Sequence, residues 1–93
     1  MVVLKSDWEI ELIGRCCRIV AMVLAELRRA VRPGITTRQL EGLAERIIRS
    51  QGARAAFRGY RGYPAAVCVS VNEEVVHGIP SERRLRAGDL VSI

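Results

Sequence analysis

Apolar residues fall at steps of three and four through the first third of the chain, at Ile10, Ile13, Cys17, Val20, Leu24, Leu27 and Val31. That spacing predicts one helix with its seam along a single face. Leu12, Cys16, Ile19 and Val23 widen the seam into a broad stripe, while Arg15, Arg18, Glu26 and Arg29 take the other side. A stripe of this kind is read as core. Ser6-Asp7-Trp8-Glu9 marks the start as a capping box, with Ser6 accepting from the N–H three residues on and Glu9 reaching back. Pro33-Gly34 ends the helix, and Arg28, Arg29 and Arg32 suit its negative end. Thr36-Thr37-Arg38-Gln39 is a second capping box, followed by an apolar face of Leu40, Leu43, Ala44, Ile47 and Ile48 and a C-terminal cap at Gly52. The reading is two antiparallel helices joined by a tight turn.

The period then changes. Gly59, Gly62 and Pro64 break any helix, and Val67, Val69 and Val71 alternate with Ala66, Cys68 and Ser70 as a strand does. Asn72-Glu73-Glu74 reads as a turn and Val75-Val76-His77 as a second strand, most simply paired with the first in a hairpin that Gly78-Ile79-Pro80 closes. A polar loop leads to the turn at Gly88-Asp89, and Leu90–Ile93 begins a third strand. The fold class is therefore α+β, two N-terminal helices packed on an antiparallel hairpin or sheet. That core is thin, and a strand at the very end needs a neighbour for its backbone groups. The expectation is the front part of a longer protein, or a chain that needs a partner to finish its sheet.

Composition narrows the classes. The 93 residues suffice for one small domain, and 49% apolar content argues against disorder. No apolar run approaches the roughly 20 residues of a membrane span, and the first residues lack a signal peptide's apolar core, so a soluble cytosolic protein is expected. The net charge is +5, but the arginines are scattered and interspersed with acids, which reads as a solvated surface and not a nucleic-acid stripe. Contact with ribosomal RNA is left open. The three cysteines lack metal-site spacing, with or without His77. They read as reduced thiols, at least two of them filling the core.

The candidate chemistry lies between Phe57 and Pro80. His77 is the only histidine, at a predicted strand end, where it is either structural or placed to move a proton near neutrality. Tyr60 and Tyr63 put two amphipathic rings close together, as walls of an apolar pocket or as a cover for the sheet end. Phe57 belongs to the core or the same wall, and Cys68 lies on the small face of its strand, able to touch a ligand. No paired-carboxylate, His-x-x-x-His, nucleophile-elbow or phosphate-loop pattern occurs.

The run GYRGYPAAVCVSVNEEVVHGIP, then RLRAGDLVSI, closely resembles the type I methionine aminopeptidases, and the match extends back through VRPGITTRQLEGLAERII and the first helix. The resemblance implies a pita-bread α+β fold whose two halves enclose a pair of divalent metal ions (Co, Mn, Fe or Zn). It also implies removal of the initiator Met from nascent chains in the cytoplasm when the next residue is small. It assigns His77 to the substrate near the scissile amide, as a catalytic residue. Tyr60, Tyr63 and Cys68, with Phe57 at a more variable position, line the pocket for the Met side chain. The family's metal ligands, two Asp, one His and two Glu, all fall beyond the position matching Ile93. No metal ligand is therefore assigned within residues 1–93, read as the N-terminal part of a single catalytic domain, and the chain alone is expected to bind no metal and to be inactive. The rival readings are a non-catalytic binding module of the same fold and a truncated product without function. No membrane partner or specific nucleic-acid site is expected.

Overall fold

The computed structural model describes residues 1–93, in the order α1 (Asp7–Ala30), α2 (Thr37–Ser50), a 3-10 turn (Tyr60–Gly62), β1 (Ser70–Val71) and β2 (Val91–Ser92). Both capping boxes are formed. Glu9 N–H donates to Ser6 Oγ and Ser6 N–H to Glu9; Gln39 N–H donates to Thr36 Oγ1 and Thr36 N–H to Gln39. At the end of α2, Ala53 N–H reaches the Ile48 carbonyl and Gly52 N–H the Arg49 carbonyl. This is a Schellman closure, and Gly52 supplies its left-handed residue with φ 70.

The core is small. Val23 and Leu27 of α1 meet Leu40 and Ala44 of α2, with Ile35, Val69, Val71 and Leu85 completing the cluster. The buried line on α1 is thus narrower than the expected seam and rotated from it. Ile10 and Ile13 remain 56% and 47% exposed, because α1, 24 residues and about 36 Å long, projects past everything that could cover its first half, while Val20 and Leu24, 56% and 44% exposed, face an open cleft. Cys16 and Cys17 are exposed on α1 and Cys68 is only half-buried, so the expectation of at least two core thiols is corrected.

The strand pairing also differs from expectation. The antiparallel partner of β1 is β2, with Ser70 opposite Ser92 and Val71 opposite Val91. Val75–His77 forms no ladder: Val75 and Val76 are 87% and 67% exposed, and His77 turns into the left-handed region with φ 55. The pairing is chosen by Asn72. Its N–H donates to the Leu90 carbonyl, its side-chain oxygen accepts from Leu90 N–H, and its amide donates to Asp89. Asn tolerates the left-handed φ of 52 found there, and the returning chain touches the Val69–Ser70 backbone only at Gly78, leaving the rest of that edge to β2.

Residues 81–85 were expected to be part of a loop; they form a strip beside the start of α2. Thr37 N–H donates to the Arg83 carbonyl, Arg38 N–H to the Ser81 carbonyl, and Gly34 and Leu85 N–H groups to the Leu85 and Ile35 carbonyls. First-turn amides of α2, which have no partner within a helix, are satisfied this way. Arg83 pairs with Glu73 (3.0 Å) and Arg84 donates to the Gly34 carbonyl (2.9 Å), so two of the late arginines are committed inside the chain.

Candidate functional site

The segment Phe57–Pro64 is latched to α2. Arg58 reaches Glu41 at 2.7 Å, Glu45 at 3.3 Å and the Pro64 carbonyl at 3.3 Å, and Glu41 also accepts the Ala66 N–H at 3.1 Å. This latch holds the aromatic turn against the entry to β1. Within the turn, the Phe57 ring meets Tyr63 edge-on at 6.2 Å between centroids. Tyr60 points outward, 61% exposed, with the Arg61 guanidinium 5.3 Å from its ring centre.

Tyr63 is half-buried, and its hydroxyl lies 3.0 Å from the Val67 carbonyl and 3.2 Å from the Gly78 carbonyl. Desolvation, followed by the adjoining Cys68 thiol, pushes the phenol well above its ordinary range. It therefore stays a hydrogen-bond donor near neutrality.

His77 is exposed, while the next residue is the most tightly held point in the segment. Gly78 N–H donates to Ser70 Oγ at 3.0 Å, and the Gly78 carbonyl accepts Val69 N–H at 2.9 Å. A Cβ on Gly78 would lie 2.8 Å from Ser70 Cα and from the Val69 carbonyl carbon, so the approach to β1 requires glycine.

The expected site residues thus fall into two neighbouring groups. Phe57 and Cys68 share the wall of an apolar cleft of about 470 Å³ with Cys16, Val20 and Leu24 of α1 and with Ile93. Tyr63 and Gly78 bond to the backbone edge of the Val67–Ser70 segment, which brings the adjoining His77 near it, and Tyr60 stands apart, exposed. Neither tyrosine nor His77 lines that cleft. Ser70, Gly78, Glu41 and Arg58, which hold the arrangement, were not singled out from sequence. The available signals were the Gly directly after the sole His and the lone hydroxyl in a valine-rich run. No three His, Cys, Asp or Glu side chains converge anywhere in the chain, so these residues do not compose a metal centre. No helix is long and apolar enough to cross a membrane.

Two capped helices over a small antiparallel sheet make an α+β arrangement, and the comparisons place it in a family. Residues 11–93 match the model of metallopeptidase family M24, and the chain belongs to that family. It is 46% identical over 93 residues to methionine aminopeptidase 1 of Bacillus subtilis, matching 100% of this chain and 38% of that protein. Against the Borreliella burgdorferi methionine aminopeptidase the identity is 47% over 90 residues, 97% of this chain and 36% of the relative. Among solved structures, the methionine aminopeptidase of Thermotoga maritima superposes with a TM-score of 0.95 at 41% identity, over 98% of this chain and 37% of that one. That of Rickettsia prowazekii gives 0.86 at 32% identity, over 98% and 37%. The architecture is accordingly part of the pita-bread fold, and the chain spans little more than a third of the length of these relatives.

Proposed function

We propose that residues 1–93 are the N-terminal part of a single methionine aminopeptidase catalytic domain, in a protein that removes the initiator Met from nascent cytoplasmic polypeptides. The observation that carries this reading is the end-to-end match, 46% identity over 93 residues, to a relative bearing that name. In this reading His77 hydrogen-bonds the substrate beside the scissile amide and stabilises the developing charge. Its exposure, on a backbone pinned at the next residue, supports that role. The family resemblance assigns Cys68, Phe57, Tyr60 and Tyr63 to the space for the Met side chain. Of these, Phe57 and Cys68 share a cleft wall in this chain and Tyr63 packs against Phe57 from outside it. A polarizable wall of sulfur and aromatic carbon suits a thioether.

The family's divalent ions would activate the attacking water. Residues 1–93 offer no cluster to hold them, so metal binding is assigned to the remainder of the longer protein. The chain alone is expected to release no Met from a Met-Ala-Ser peptide with manganese or cobalt. A chimera joining residues 1–93 to the rest of the Thermotoga maritima enzyme, beyond its aligned segment, is expected to release it. Release by the chain alone, or none by a folded, metal-loaded chimera, would overturn the assignment.

A further inference from the structure

We propose that Tyr63 and Ser70 are positioning residues, whose hydroxyls grip Gly78 from two sides and thereby fix the direction in which His77 leaves the backbone. His77, a non-glycine residue at φ 55, sits in the sparsely populated left-handed region. Such a conformation persists only where its surroundings hold it. His77 makes no backbone ladder and its neighbours Val75 and Val76 are exposed, so the restraint comes from the C-terminal side.

There the Gly78 N–H, held by Ser70 Oγ at 3.0 Å, belongs to the same peptide plane as the His77 carbonyl. Pinning that N–H therefore pins the ψ of His77. The Gly78 carbonyl accepts Val69 N–H at 2.9 Å and shares the single Tyr63 hydroxyl proton, at 3.2 Å, with the Val67 carbonyl at 3.0 Å, one residue before Cys68. One phenol thus spans the strand that carries Cys68 and the junction that carries His77. A phenol is protonated near neutrality and burial moves it further that way, so it acts here as a donor and not as a proton-transfer group. Ser70 is itself 5% exposed, so no water competes freely for its hydroxyl.

The clamp is a property of this chain. Its catalytic meaning rests on the reading proposed above. Residue-resolved hydrogen exchange, at sub-micromolar concentration where association is diluted out, tests it without any need for activity. In Ser70→Ala and in Tyr63→Phe, the Gly78 and Val69 amides, which are bonded across the junction, should exchange about tenfold faster than in the parent, with the Leu40 and Ala44 amides of α2 unchanged; Ser70→Thr should restore protection. Unchanged exchange at Gly78 and Val69 in both variants would overturn the clamp. In the chimera, Tyr63→Phe should lower kcat about tenfold while KM stays within about twofold. A raised KM with kcat kept would make Tyr63 a plain substrate contact and overturn its positioning role. A chimera without activity would count against the proposed function, and the exchange result would still decide the clamp.

Discussion

Replacing Gly78 by alanine is the sharpest perturbation this chain offers. The added methyl would stand 2.8 Å from Ser70 Cα and from the Val69 carbonyl carbon, both backbone atoms that cannot rotate aside. Relief requires moving the 77–79 segment off β1. Three hydrogen bonds are then at stake: Gly78 N–H to Ser70 Oγ, Val69 N–H to the Gly78 carbonyl, and the Tyr63 hydroxyl to the same carbonyl. At about 1 kcal/mol net each, with some strain retained, the loss should be about 2–4 kcal/mol. In a domain of this size that is about 10–30 °C in melting temperature. Gly42 is the internal control. It lies inside α2 with nothing within 4 Å of an added Cβ, so Gly42→Ala should raise stability by about 0.5–1 kcal/mol. Urea denaturation followed by circular dichroism, at one fixed protein concentration, reads both. Opposite signs are expected. A Gly78→Ala midpoint equal to the parent's would show that the close approach of Gly78 to β1 does not hold the segment.

Other consequences follow from the same contacts. Glu41→Ala removes the acceptor for the Ala66 N–H as well as the Arg58 partner, and should cost about 1–2 kcal/mol in the same urea assay, more than Arg58→Met, whose loss is solvent-screened. Asp89 is held below the usual carboxylate range by the Asn72 side-chain amide and then by the Arg86 N–H. A carboxyl with a lowered folded pKa stabilises above the unfolded value and loses that stabilisation as pH falls, so the urea midpoint should drop below about pH 4, and Asp89→Asn should flatten that acid limb. Val20 and Leu24 expose 56% and 44% of their surface on the unpaired face of α1. The parent chain should self-associate at micromolar concentrations in sedimentation velocity, and the double change Val20→Lys and Leu24→Glu should weaken that association by about tenfold.

Features that depend on a few adjacent residues were readable before the structure. Ser6–Glu9, Thr36–Gln39, Pro33-Gly34 and Gly52 act through hydrogen bonds three to five residues long, and each behaves as its sequence indicates. Features that depend on distant neighbours were not. The apolar spacing of α1 identifies a face but cannot say how far along the helix a cover extends, and so Cys16 and Cys17 read as core although both are exposed, Cys16 at the wall of the open cleft. The hairpin reading failed for a related reason. Alternation shows that Val67–Val71 is extended, whereas its partner is chosen by Asn72 and Leu90, 18 residues apart. Of the candidate residues, Phe57 and Cys68 share the cleft wall while Tyr60, Tyr63 and His77 lie outside it, and the roles of Ser70 and Gly78 appear only once the backbone of 77–79 is seen against β1.

The central claim is that residues 1–93 carry the substrate side of a methionine aminopeptidase, with His77 acting on the reacting amide. The most direct measurement is the rate of Met release from a Met-Ala-Ser peptide, at saturating substrate and manganese, by the chimera with the Thermotoga maritima remainder, compared with the same chimera carrying His77→Ala. The account predicts release by the first and a fall in kcat of about a hundredfold in the second, with metal content and fold unchanged. Equal rates from the two proteins would contradict it.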